Sequence, residues 1–96
     1  MKKYTIVCLS GNTSDDWDDL WNNLTDKERK DLIERLENHP FERNIDSDVE
    51  KLNKGHYKYN ASYGNRVVYI IEGKEVVIRC AGDHDTYIRY RRKYKL

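Results

Sequence analysis

A chain of 96 residues has room for one domain with a modest core, and none for a cofactor domain beside a substrate domain, so residues 1–96 read as a single domain. Apolar residues make up 38% and charged residues 36%, and the net charge of +1 rules out a uniformly basic surface. Attraction for an anionic partner must therefore come from local clusters. Asp15, Asp16, Asp18 and Asp19 gather near the start, and Arg89, Arg91, Arg92, Lys93 and Lys95 crowd the end. No apolar run is long enough to span a bilayer, and Met1–Ser10 is too short for a signal peptide, so the sequence predicts a cytoplasmic protein with no membrane partner. Cys8 and Cys80 sit in apolar runs and read as small hydrophobes rather than as a bridge. There is no Cys-x-x-Cys, and the three histidines are scattered, so neither a metal site nor a cofactor is expected.

The first element, Tyr4 to Leu9, is rich in β-formers and stops at the turn cluster Ser10-Gly11-Asn12. A helix follows, with Thr13 or Ser14 as N-cap and Trp17, Leu20, Trp21 and Leu24 on one stripe. Its early aspartates suit the positive end of the helix dipole; the rival reading is a cation site. Thr25 and Glu28 fit a capping box for a second helix, whose buried face is Leu32, Ile33 and Leu36 and which ends at Asn38-His39-Pro40. Phe41 to Lys54 has no period and reads as a connector, with room for a short helical turn. From Gly55 the pattern changes to three strands, His56–Ala61, Arg66–Glu72 and Glu75–Ala81, in an antiparallel meander. The predicted class is α+β, β-α-α-β-β-β: a sheet of about four strands with two N-terminal helices on one face.

The two-residue turn Gly73-Lys74 sets the register of the last hairpin. With Glu72 opposite Glu75, Ile71 faces Val76, Tyr69 faces Ile78 and Val67 faces Cys80, and all six apolar side chains share the face that meets the helices. The other face carries Arg66, Val68 and Ile70 against Ala81, Arg79 and Val77. A five-residue loop over 61–65 brings His56 and Lys58 to the same side. Lys58, Arg66, Arg79 and His56 are thus expected to line one concave sheet surface. The alternative for each arginine is an ordinary solvated position.

Gly82 permits a bend after the last strand, which sets His84 and Tyr87 beside the arginine-bearing strand. Histidine transfers protons near neutral pH, arginine clamps phosphate, and tyrosine stacks on bases. Together they suit metal-free RNA cleavage, in which a ribose 2′-hydroxyl attacks its own phosphate. The competing readings are a satisfied loop histidine for His84 and a core anchor for Tyr87. Lys54, His56, Lys58 and Asp85 all remain open as general base.

Two stretches carry a family resemblance. Lys51-Leu52-Asn53-Lys54-Gly55-His56, leading to Asn65-Arg66-Val67-Val68-Tyr69, resembles the centre of the RelE/ParE toxin superfamily. Val76-Val77-Ile78-Arg79-Cys80-Ala81-Gly82-Asp83-His84, running on to Tyr87, resembles its last strand and histidine-to-tyrosine ending. The likeness covers the last half of the chain and is greatest to the RelE, YoeB and YafQ-like messenger-RNA interferases. It implies a toxin that cuts mRNA at the ribosome and is neutralised by a cognate antitoxin. It implies Arg66 as phosphate clamp, Arg79 as its assistant, His84 as general acid and Tyr87 as the C-terminal tyrosine. Lys54, His56 and Lys58 fall at substrate-positioning places. The tail residues Arg89, Arg91 and Arg92 are read as a basic arm or short helix on the RNA or ribosome backbone. One departure stands out. The family's Tyr-Arg is Asn65-Arg66 here, so either Tyr63 stands in or the loop differs. The same fold also serves gyrase-poisoning ParE-like toxins and contact-dependent tRNase domains held by an immunity protein.

Overall fold

The structure, a computed structural model, describes residues 3–8, 12–41 and 48–96, with no side-chain detail at 12–15. Its elements run β1 (Thr5–Cys8), α1 (Asn12–Asn22), α2 (Asp26–Asn38), β2 (Val49–Lys51), β3 (His56–Ser62), β4 (Asn65–Glu72), β5 (Glu75–Asp83) and α3 (His84–Tyr94). The strands form one sheet in the order β1-β5-β4-β3-β2. β1 lies parallel to β5, and every other neighbouring pair is antiparallel. The expected α+β class and helical pair are present. The sheet has five strands rather than about four, because Val49–Lys51 in the supposed connector pairs with β3. Leu9 and the Ser10-Gly11 turn lie outside the described residues.

The second N-terminal helix is built as its sequence signal requires. The Thr25 hydroxyl accepts from the Glu28 amide at 3.2 Å, and the Glu28 carboxylate accepts from the Thr25 amide at 2.9 Å, a reciprocal cap that satisfies two orphan donors. α1 begins at Asn12, so Thr13 and Ser14 lie inside its first turn rather than before it. Leu20 of α1, Leu24 of the turn that follows it, and Leu32 and Leu36 of α2 are buried against Val67, Tyr69, Val76 and Ile78. Trp17 and Trp21 stack at the margin of this core, ring centroids 6.3 Å apart. Tyr69 is fully buried and its hydroxyl donates to the Pro40 carbonyl at 2.5 Å, tying the end of α2 to the central strand. Burial pushes the Tyr69 phenol far above its ordinary value, which keeps it a donor.

The last hairpin follows the predicted register from Glu72↔Glu75 through Tyr69↔Ile78. Beyond that point the register shifts. Arg79 is an extra residue, so Val68 faces Cys80 and Val67 faces Ala81. A shift of one exchanges faces. Cys80, expected beside Val67, instead joins Val68 on the opposite side, and Ala81, expected beside Arg66, enters the core under the helical pair. On β4 the expected alternation holds, with Val67 fully buried and Arg66 half-buried. Both cysteines are free thiols.

The second face of the sheet was expected to be open. It carries α3, and between them lies a second core of Leu52, Val68, Cys80, Tyr87 and Leu96. Asp83 caps the helix by accepting from the Thr86 amide at 2.8 Å. Glycine at position 82 leaves room for the Thr86 side chain, which a Cβ there would approach to 3.0 Å. At the other end Lys95 takes a left-handed conformation, φ 55°, the Leu96 amide donates to the Arg91 carbonyl at 2.9 Å, and Leu96 folds into the second core. The segment from Arg89 to Leu96 is therefore the packed end of a helix and not a loose arm.

Candidate functional site

Strand register places the predicted site residues in three transverse rows beneath α3. In the first, Asn60, Arg66 and Gly82 are partners across β3, β4 and β5. In the second, Glu50, Lys58, Val68 and Cys80 are partners across β2 to β5. In the third, His56, Ile70 and Val77 are partners. The expectation that His56, Lys58 and Arg66 share a face is met, but α3 covers the middle of that face, around Val68 and Cys80, and leaves Arg66 and His56 half-buried. His56 stands four residues along β3 from the partner of Arg66, about 13 Å away, so the set does not converge on one point.

At the first row, the Arg66 Nη1 donates to the carbonyl oxygens of Ser62 at 2.9 Å and of Asn65 at 3.0 Å. The guanidinium thus folds back over the turn between β3 and β4. Its Nε and Nη2, the edge that grips an oxyanion two-pronged, have no partner among the described residues. Arg66 pairs with Gly82, two residues before His84, so clamp and imidazole occupy the same end of the sheet. His84 is exposed in the first turn of α3, its ring 6.1 Å from that of Tyr87. Arg79, the bulge residue, is half-buried on the same strand.

The second row is an anchored polar cluster. Lys58, with only 14% of its side chain exposed, binds the Glu50 carboxylate at 2.9 Å. That bond holds the Glu50 carboxyl below its ordinary value, with Lys58 and Arg91 adding their positive charge. The Lys58 ammonium also lies over the Tyr87 ring at 5.4 Å. Tyr87 itself is buried at 3% exposure, and its hydroxyl accepts from Arg91 Nη1 at 3.2 Å. With no free face, the Tyr87 ring cannot stack on a nucleobase in this state; it anchors α3, the core role weighed against stacking. Arg91 is likewise committed inward, its Nε donating to the Leu96 carbonyl at 3.1 Å. Glu50 was missed from the sequence because a three-residue strand among charged residues leaves no period to read.

At the third row His56 packs near Tyr90, ring centroids 6.3 Å apart, and its Nδ1 lies 3.1 Å from the Lys54 carbonyl. Lys54 adopts a left-handed conformation, φ 58°, and its Nζ donates to the Tyr94 carbonyl at 3.0 Å, clipping the β2–β3 turn to the end of α3. Arg89 and Arg92, by contrast, are exposed along the outer flank of α3. Among the described residues no group of three His, Cys, Asp or Glu side chains could hold a metal ion, and no helix is long and apolar enough to cross a membrane.

A five-strand mixed sheet with a pair of helices on one face and a C-terminal helix on the other is a fold also seen in solved structures of bacterial toxins. In particular, the chain is similar to the YoeB dimer from Staphylococcus aureus, with a TM-score of 0.58 and 21% identity over 85% of this chain and 98% of that one. It is also similar to a copper-bound mutant toxin from Helicobacter pylori, with a TM-score of 0.56 and 19% identity over 88% of this chain and 97% of that one. What the chain shares with them is the fold. No family model matches the sequence, and no curated relative matches it.

Proposed function

We propose that this chain is a single-domain, cytoplasmic toxin of a toxin–antitoxin system: a metal-independent endoribonuclease that cuts messenger RNA at the ribosome and is silenced by a cognate antitoxin. The observation that supports this reading most is Arg66, whose Nη1 is braced by two carbonyls while its Nε–Nη2 edge has no partner among the described residues, at the sheet end that carries His84. A guanidinium fixed in this way meets a phosphate already oriented.

In the proposed reaction the ribose 2′-oxygen forms a bond to phosphorus and the P–O5′ bond breaks. A base takes the 2′-hydroxyl proton, Arg66 with Arg79 neutralises the charge growing on the phosphoryl oxygens, and the His84 imidazolium gives its proton to O5′. Products are a 2′,3′-cyclic phosphate and a 5′-hydroxyl. Glu50, held ionised by Lys58, joins Lys54, His56, Lys58 and Asp85 as a base candidate.

Single-turnover cleavage of RNA, on and off ribosomes, tests the reading. Arg66→Ala and His84→Ala should each slow cleavage about a hundredfold or more, and chelators should change nothing. Near wild-type rates in both variants, or a requirement for a divalent ion, would overturn the mechanism. A wild type that never cuts RNA but blocks supercoiling by gyrase would replace the nuclease reading with the gyrase-poison one.

A further inference from the structure

The most exposed large hydrophobic side chain among the described residues is Tyr63, at 104% relative exposure, and it stands on the turn that Arg66 braces. β3 and β4 are joined by Tyr63 and Gly64 alone, with Ser62 paired to Asn65. Gly64 supplies a φ of 84°, a conformation that lets so short a turn close. Three bonds then fix it. The Asn65 Nδ2 donates to the Ser62 Oγ at 2.6 Å, and the Arg66 Nη1 donates to the carbonyls on both sides of the turn. The tip is thus tied by the same guanidinium whose other edge has no partner among the described residues. Across the pair from Arg66, the Asn60 Oδ1 is buried and has no hydrogen-bond partner.

We infer that Tyr63, Arg66 and Asn60 form a nucleotide subsite. The phosphate lies on the Nε–Nη2 edge of Arg66, and the adjacent base stacks on the Tyr63 ring. This inference rests on the nuclease reading for its ligand class, single-stranded RNA, and goes beyond it by naming what holds the base. The chemistry favours a base over a peptide. An aromatic ring fully exposed to solvent, on a hydrogen-bonded turn three residues before an oxyanion clamp, matches the way single-stranded nucleic acid is held: a cation for the backbone and a π-face for the base. Stacking accepts any base, so the subsite sets position along the strand rather than sequence. Asn60, whose acceptor is unsatisfied, is the group placed to add a hydrogen bond to the nucleotide.

The test is equilibrium binding, by fluorescence anisotropy, of a labelled short RNA whose 2′-oxygens are methylated so that it cannot be cut. Tyr63 is fully exposed, so its variants leave the fold intact, which thermal unfolding checks. Tyr63→Ala should weaken binding about tenfold, within the range of one base stack, while Tyr63→Phe and Tyr63→Trp bind as wild type. An RNA with one abasic position should lose affinity for wild type and lose none for Tyr63→Ala, because the stack is already gone. Equal affinity of Tyr63→Ala and wild type, or the same abasic loss in both, overturns the subsite, as does a Tyr63→Ala variant that loses only a protein partner. Tyr63-dependent binding by a protein that never cuts unmodified RNA keeps the subsite and discards the nuclease. Cleavage by Tyr63→Ala at unchanged KM keeps the nuclease and discards the subsite.

Discussion

The Lys58 ammonium lies 5.4 Å from the centre of the buried Tyr87 ring, so a strand cation and a helix aromatic hold α3 against the sheet. The same ammonium binds Glu50 at 2.9 Å, which makes Lys58 the junction of β2, β3 and α3. Lys58→Ala removes the packed stem as well as the charge and should cost about 1–2 kcal/mol of unfolding free energy. Urea unfolding at neutral pH measures it. Lys58→Met, which keeps the stem, should lose distinctly less.

Acid should loosen both ends of this assembly. The bond from Lys58 depresses the Glu50 carboxyl below its ordinary 4.5, and the bond from the Thr86 amide depresses Asp83 below its ordinary 3.8. A carboxyl depressed in the folded state contributes stability above its unfolded pKa, and that contribution disappears as pH falls through the folded value. Stability should therefore be level near neutrality and decline below about pH 4. Asp83→Asn keeps a competent helix cap but cannot titrate, so its melting temperature should decline less steeply with acid. Parallel slopes for Asp83→Asn and wild type would mean that the cap carries no such dependence.

Cys80 lies in the core beneath α3, and burial pushes its thiol up to about 11. At pH 8 roughly one molecule in a thousand carries the thiolate. Iodoacetamide should leave Cys80 unmodified in the native protein and alkylate it readily in urea. Mass spectrometry of native Lys58→Ala should show faster alkylation than wild type, since weaker anchoring of α3 opens the same core.

The exposed cations of α3 divide from the committed one. Arg91 binds Tyr87 and Leu96, whereas Arg89 and Arg92 face outward. Arg89→Gln with Arg92→Gln should weaken binding of single-stranded RNA and flatten the slope of log affinity against log salt by about 1.4, at 0.7 for each phosphate contact. Thermal stability should hold. Arg91→Gln should do the reverse, lowering the melting temperature by loosening the helix end. An unchanged salt slope in the double variant removes α3 from the RNA-binding surface.

Much of this arrangement was legible before the structure. The Gly73-Lys74 turn predicted the pairing of Glu72 with Glu75 and of Tyr69 with Ile78, because turn length fixes register locally. The Thr25–Glu28 spacing predicted a cap that forms. Arg79 could not be foreseen as a bulge, since one inserted residue alters no composition and no glycine marks it. A short helix was one reading of the tail, but its docking on the sheet was not readable, because Tyr87, Ile88 and Tyr90 stand there among many charges. The signal was present in Asp83, three residues before Thr86, a cap waiting for a helix. For the site, the shared face of His56, Lys58 and Arg66 was readable from alternation. What covers it depended on α3, so the separation into three rows was not.

The parallel edge strand carries a consequence for how the chain is made. Thr5 pairs with Glu75 and Cys8 with Ile78, partners roughly 70 residues apart, whereas β3, β4 and β5 meet their neighbours through short turns. During synthesis β1 is complete before β5, its one partner strand among the described residues, and stays unpaired until β5 is made. The meander can close as soon as it is made, and β1 docks onto it last. Contact order thus makes β1 the late step of folding, since its partner lies farther along the chain than any partner within the meander.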